Sequence, residues 1–143
     1  MTKAIKFLEY ILSLNKKIDT KRYQLEKLHD RLTSLSVPTD KEQVSHTRNL
    51  DIMGETIALI IQLEKQLDME TKELVAMQIR AEVYFDLLLP ENSLILRERY
   101  SYGTPIEEMA KNRGLSDRQV YRLIHKAADE LEPYLPDNVC DVR

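Results

Sequence analysis

Tryptophan is absent from this chain, glycine occurs three times and cysteine once in 143 residues. Each scarcity excludes something. The lone Cys140 rules out an internal disulfide. So few glycines leave no glycine-rich loop that would cradle phosphates. Aromatics make up only 6% of the residues, which fits long helices with thin cores better than a sheet. No apolar run approaches the length of a membrane span, and no signal-peptide pattern opens the chain. A cytoplasmic location without membrane contact is therefore expected.

What is present is charge. Charged residues account for 31% and apolar residues for 43%, a helix-friendly mix that suits one or two small domains. The net charge of −3 argues against loose, salt-driven coating of nucleic acid. Its distribution says more. Arg97, Arg99, Lys111, Arg113, Arg118, Arg122 and Lys126 stand against Glu98, Glu107, Glu108 and Asp117 in the same stretch. The residues after Lys126 are acidic (Asp129, Glu130, Glu132, Asp137, Asp141). A local positive patch on a mildly acidic chain suits specific docking.

Residues 104–131 organise the rest. Thr104 is expected to cap a helix whose first position is Pro105, with Glu107 as the acid of a capping box. Ile106, Met109 and Ala110 share one face. Gly114 ends this helix, because only glycine turns left-handed cheaply. Ser116 with Gln119 forms a second capping box and opens a second helix. Val120, Leu123, Ile124, Ala127 and Leu131 give that helix an apolar stripe. Pro133 stops it near Leu131. Two short helices joined by a tight turn, the second with a basic face, have the shape of a helix-turn-helix DNA reader.

The N-terminal part reads differently. Ala4, Ile11, Ile18, Leu25 and Leu32 recur at heptad spacing, with Phe7, Leu14, Leu28 and Leu35 beside them and Lys21 interrupting the row. Residues 36–47 contain Pro38 and read as a loop. Met53, Ile60, Leu67, Leu74, Ala81 and Leu88 set a second heptad row over residues 49–88, flanked by Leu63, Met77 and Tyr84. The two helices are expected to pair antiparallel. Leu89 and Pro90 begin a hinge. Asn92 or Ser93 then caps a short helix through Tyr100, whose Leu94, Ile95 and Leu96 complete a three-helix core.

The expected fold is all-α. A long antiparallel helical hairpin, or coiled coil, covers residues 1–89. A three-helix helix-turn-helix domain covers 90–135, and a frayed tail 136–143.

With both halves in view the chain resembles a known group. Arg97-Glu-Arg-Tyr-Ser-Tyr-Gly103, Ile106-Glu-Glu-Met-Ala110 and Gly114-Leu-Ser-Asp-Arg-Gln-Val-Tyr-Arg-Leu123 resemble region four of bacterial sigma factors. Taken with Leu14-Asn-Lys-Lys-Ile-Asp19 and Ile60-Ile-Gln-Leu-Glu64, most of the chain is similar to small sigma-factor-like regulators of Gram-positive phages and prophages, of the autolysin- and late-gene-regulator types. That resemblance implies promoter binding and contact with RNA polymerase. Full sigma factors also carry an aromatic-rich domain that melts the promoter, and nothing here matches it. Promoter recognition or activation is implied, not independent initiation.

In such a reader Arg118 and Arg122 are placed to bond guanine and Gln119 to read adenine in the major groove. Ser116 and Lys126 are placed to hold phosphate. His125 lies on the same face and Tyr121 at its edge, with a solvated side chain and packing at the core edge as their respective alternatives. Arg97, Arg99, Lys111 and Arg113 are candidates for gripping phosphate, against the alternative of pairing with Glu98, Glu107 or Glu108. His29, His46 and His125 are too scattered for a metal site, and no cofactor or catalytic group is expected.

The partners expected are double-stranded DNA, RNA polymerase and a second copy of the chain through the N-terminal helices. Two other readings stand beside this one. A small DNA-packaging subunit of a phage would also join such a reader to an oligomerising helical part. A coiled-coil interaction protein would use the hairpin itself as its working surface.

Overall fold

Helix interiors exclude proline and tolerate little glycine. The first long helix contains neither, and the second only Gly54. The computed structural model describes residues 2–36 and 46–140. Five α-helices follow one another: α1 (Lys3–Ser36), α2 (His46–Phe85), α3 (Pro90–Leu96), α4 (Ile106–Arg113) and α5 (Asp117–Leu131). A π-helical turn, Arg97–Ser101, continues α3, and a 3-10 turn, Glu132–Tyr134, continues α5. The described residues contain no strand, so the fold is all-α with a long helix pair followed by smaller helices. Of the loop expected over 36–47, residues 37–45 lie outside the described residues, and the second helix begins at His46, three residues before the expected start.

Two compact units divide the chain across its long helices: Lys16–Lys72 forms one, and the residues through Asn15 with those from Glu73 onward form the other. The boundary anticipated at 89/90 therefore falls inside a unit.

In the Lys16–Lys72 unit, Ile18, Ile60 and Leu63 are buried, while Leu25, Leu28, Leu32 and Leu67 are half-buried. Lys21 pairs with Glu70 and His29 approaches Glu64 at 3.9 Å. Rising numbers on one helix meet falling numbers on the other, the antiparallel pairing that the two heptad rows anticipate. The lysine that interrupts the first row is thus answered by a carboxylate.

The other unit has a fuller core. Phe7, Leu8, Ile11, Met77, Phe85, Leu96, Met109, Val120 and Leu131 are all but inaccessible. The rings of Phe7 and Tyr84 meet edge-to-face at 6.2 Å. Tyr10 donates to Glu73, and the Asn15 amide donates to the Tyr100 carbonyl at 3.4 Å. Burial and the nearby Glu9 carboxylate hold the Tyr100 hydroxyl up at about 12.

Several local expectations are corrected. α3 starts at Pro90, with Leu89 before it. Proline supplies the fixed φ of the first helical position, so Asn92 and Ser93 lie inside the helix and do not cap it. Leu94 is 58% exposed while Ile95 and Leu96 are buried. Successive helical residues point about 100° apart, so three in a row do not share a core. Residues 136–140 do not fray: Val139 is buried, and its carbonyl accepts from the Arg80 guanidinium at 2.9 Å.

Candidate nucleic-acid interface

The turn between α4 and α5 is built from local chemistry. Ile106, Met109 and Ala110 are buried, as their shared face requires. Gly114 sits at φ 65° and ψ 34°, the left-handed region. The Leu115 N–H reaches back to the Ala110 carbonyl at 2.9 Å and the Gly114 N–H to Lys111 at 3.3 Å, closing the end of α4. The Ser116 hydroxyl then accepts from the Gln119 N–H at 3.2 Å, and the Gln119 side chain accepts from the Ser116 N–H at 2.9 Å. This reciprocal capping box starts α5.

The expected start of α4 differs. Pro105 is extended (φ −61°, ψ 147°) and occupies the position before the helix, with no side-chain cap. Thr104 does not cap it; its N–H donates instead to the Glu98 carbonyl at 3.1 Å. The cause lies upstream. The π-helical turn at Arg97–Ser101 carries the chain around wide, with Tyr102 N–H donating to the Arg97 carbonyl at 2.9 Å, and fixes Thr104 by its backbone.

Val120, Ile124, Ala127, Ala128 and Leu131 are the buried side of α5. Leu123, expected in the stripe, is 37% exposed and Ala128 replaces it. At about 100° per residue, the two lie on opposite edges of the stripe. The leucine faces the open edge and the alanine the closed one.

Arg118, Gln119, Tyr121, Arg122, His125 and Lys126 are all exposed. Arg118, Arg122 and Lys126 stand four residues apart, so they form one track along about 12 Å of helix. None of them makes an ion pair or hydrogen bond among the described residues. Gln119 is different: its side-chain oxygen is held by the Ser116 N–H, and bidentate recognition of adenine needs both ends of the amide. The Ser116 hydroxyl accepts within the cap, which leaves its O–H able to donate to a phosphate.

The four upstream candidates separate in the same way. Arg97 bonds Glu82 at 2.9 Å and Asp86 at 2.7 Å, also reaches Ser93, and lies 5.8 Å over the Phe85 ring. The bond to Glu82 pushes its guanidinium pKa further up. Arg113 pairs with Glu98, both largely covered at 24% and 20% exposure. Arg99 donates to the Thr104 carbonyl at 3.1 Å. Lys111 alone of the four is exposed and without such a bond among the described residues.

Two residues of structural consequence escaped the sequence reading. Glu130 accepts from the Leu89 N–H at 2.8 Å and from the Asn92 amide, closing the start of α3. Glu132 accepts from the Lys3 and Ala4 N–H groups at 3.1 and 2.7 Å, closing the start of α1. Both lie at the C-terminal end of α5, where the helix dipole disfavours acids. That misplaced charge was the available signal. Together the two carboxylates tie the end of α5 to the starts of α1 and α3.

Among the described residues no group of three or more His, Cys, Asp or Glu side chains could hold a metal ion, and no helix is long and apolar enough to cross a membrane. Comparison with protein-family models, with curated proteins and with solved structures finds no match to this chain.

Proposed function

We propose that this protein is a sequence-specific, double-stranded-DNA-binding transcription regulator of the phage or prophage sigma-like kind, acting in the cytoplasm. α5 enters the major groove. Arg118 and Arg122 bond base edges, while Lys126 and Lys111 hold phosphates and His125 adds a third polar group to the face. The helical hairpin contacts RNA polymerase or a second copy of the chain. Such a regulator needs neither catalysis nor a cofactor.

One observation carries it. The track Arg118–Arg122–Lys126 is exposed and without internal partners, on a helix whose start is fixed by Gly114 and the Ser116–Gln119 box. The neighbouring Arg97 and Arg113 are by contrast neutralised by the protein's own carboxylates. Cations left over after internal pairing are those available to an outside anion. Gln119 and Ser116 contribute by holding the helix start, and Arg97, Arg99 and Arg113 by shaping the support beneath it.

The test is selection of bound duplexes from random DNA at defined salt, repeated with Arg118→Ala and Arg122→Ala. Each bidentate arginine–guanine pair is worth about 1–3 kcal/mol of discrimination. Each variant should therefore lose preference at one position by roughly ten-fold or more. Retention of wild-type preference by both would refute the assigned roles. A closed ring of many subunits, seen by mass measurement, would favour DNA packaging instead.

A further inference from the structure

The acids at the C-terminal end of α5 are not equivalent. Glu130 closes the start of α3 and Glu132 the start of α1. Asp129 does neither. It is exposed and makes no hydrogen bond or ion pair among the described residues, including with Lys126 three residues before it. It sits in the last turn of α5, a turn without a basic residue. An acid there is opposed by the helix dipole. Asp129 therefore contributes nothing to folding that the structure records.

Its placement is informative. Asp129 follows Arg122 by seven residues, about two helical turns, and so shares its side of the helix. The face that carries Arg118, Arg122 and Lys126 ends on a carboxylate. Toward DNA that face is attractive along its first turns and repulsive at its end. Readers of this shape contact bases through the N-terminal residues of the helix. Sequence-independent binding, in contrast, rests on phosphate contacts wherever cations permit them.

We propose that Asp129 is a specificity-determining residue of the DNA face, which repels phosphate at the C-terminal end of α5 and confines contact to the turns bearing Arg118, Arg122 and Lys126. The inference rests on the DNA-binding reading above. Its effect is selective. It weakens docking in which the helix lies flat along the backbone, and it spares docking in which the helix start is inserted.

The experiment compares wild type, Asp129→Asn and Asp129→Lys on a random-sequence duplex and on the duplex the wild type selects, from about 50 to 200 mM salt. Folding is checked by circular dichroism, and asparagine keeps the size of the side chain. On the random duplex, affinity should rise about two-fold for the asparagine variant and about five-fold for the lysine variant at low salt, the latter with a salt slope steeper by about one phosphate contact. The selected duplex should gain less, so the ratio of the two affinities falls. A wild type that selects a sequence, with a lysine variant unchanged on random DNA, overturns this inference and leaves the functional reading standing. A wild type that binds no duplex at low salt overturns both.

Discussion

Replacing Gly114 with alanine isolates the backbone conformation on which the turn depends. At φ 65° an L-residue is strained, at about 1–2 kcal/mol. The added methyl group would meet nothing within 4 Å, so no clash contributes. Alanine also restricts the unfolded chain, which returns about 0.4–1 kcal/mol. The net loss should be about 1 kcal/mol, or a fall in Tm of about 3–4 °C for a chain of this length. Gly54 supplies the control. It too has open space around it, but it lies inside α2 with ordinary helical geometry. There alanine should stabilise by about 0.5–1 kcal/mol. Urea unfolding followed by far-UV circular dichroism reads both variants, and the slopes should match wild type. Asparagine at 114, which tolerates the left-handed region, should recover part of the loss. A Gly114→Ala protein stabilised as much as the Gly54→Ala control would mean that the chain does not turn left-handed there, and the division into α4 and α5 would fail with it.

Three further outcomes follow from single contacts. Glu132→Ala removes two acceptors from the start of α1; it should cost about 1–2 kcal/mol and speed amide exchange in the first turn of that helix, and unchanged exchange there would contradict the cap. Lys21→Met leaves the Glu70 carboxylate, one oxygen of which is buried without a hydrogen bond, facing no cation. A loss of about 1–2 kcal/mol is expected for this partly exposed pair, with the Lys21→Met, Glu70→Met double variant close to wild type in urea; a double variant as weak as the single one would count against the pairing. Tyr100 has its hydroxyl raised to about 12, so the folded state holds that proton where the unfolded chain releases it. Its contribution is fully present below about pH 10 and is lost between 10 and 12, on the order of 2 kcal/mol. Tyr100→Phe should flatten that part of the alkaline unfolding curve, and an unaltered curve would remove the argument.

The two long helices, the glycine turn, the Ser116–Gln119 box and the outward Arg118 and Arg122 were all legible in the sequence. Each depends on periodicity or on bonds between residues at most five apart, and such patterns are written along the chain. The fate of the other arginines was not. Arg97 finds Glu82, and Arg113 finds Glu98, fifteen residues away; the nearer acids Glu107 and Glu108 were equally good partners on spacing alone. Glu132 caps a helix that begins 129 residues earlier. Leu94 and Leu123 have the hydrophobicity of core residues, yet their positions on the finished helices face outward. Local rules decide which segments coil and where they stop. Only close packing of distant segments decides which charges are neutralised within the molecule, and therefore which remain for a partner.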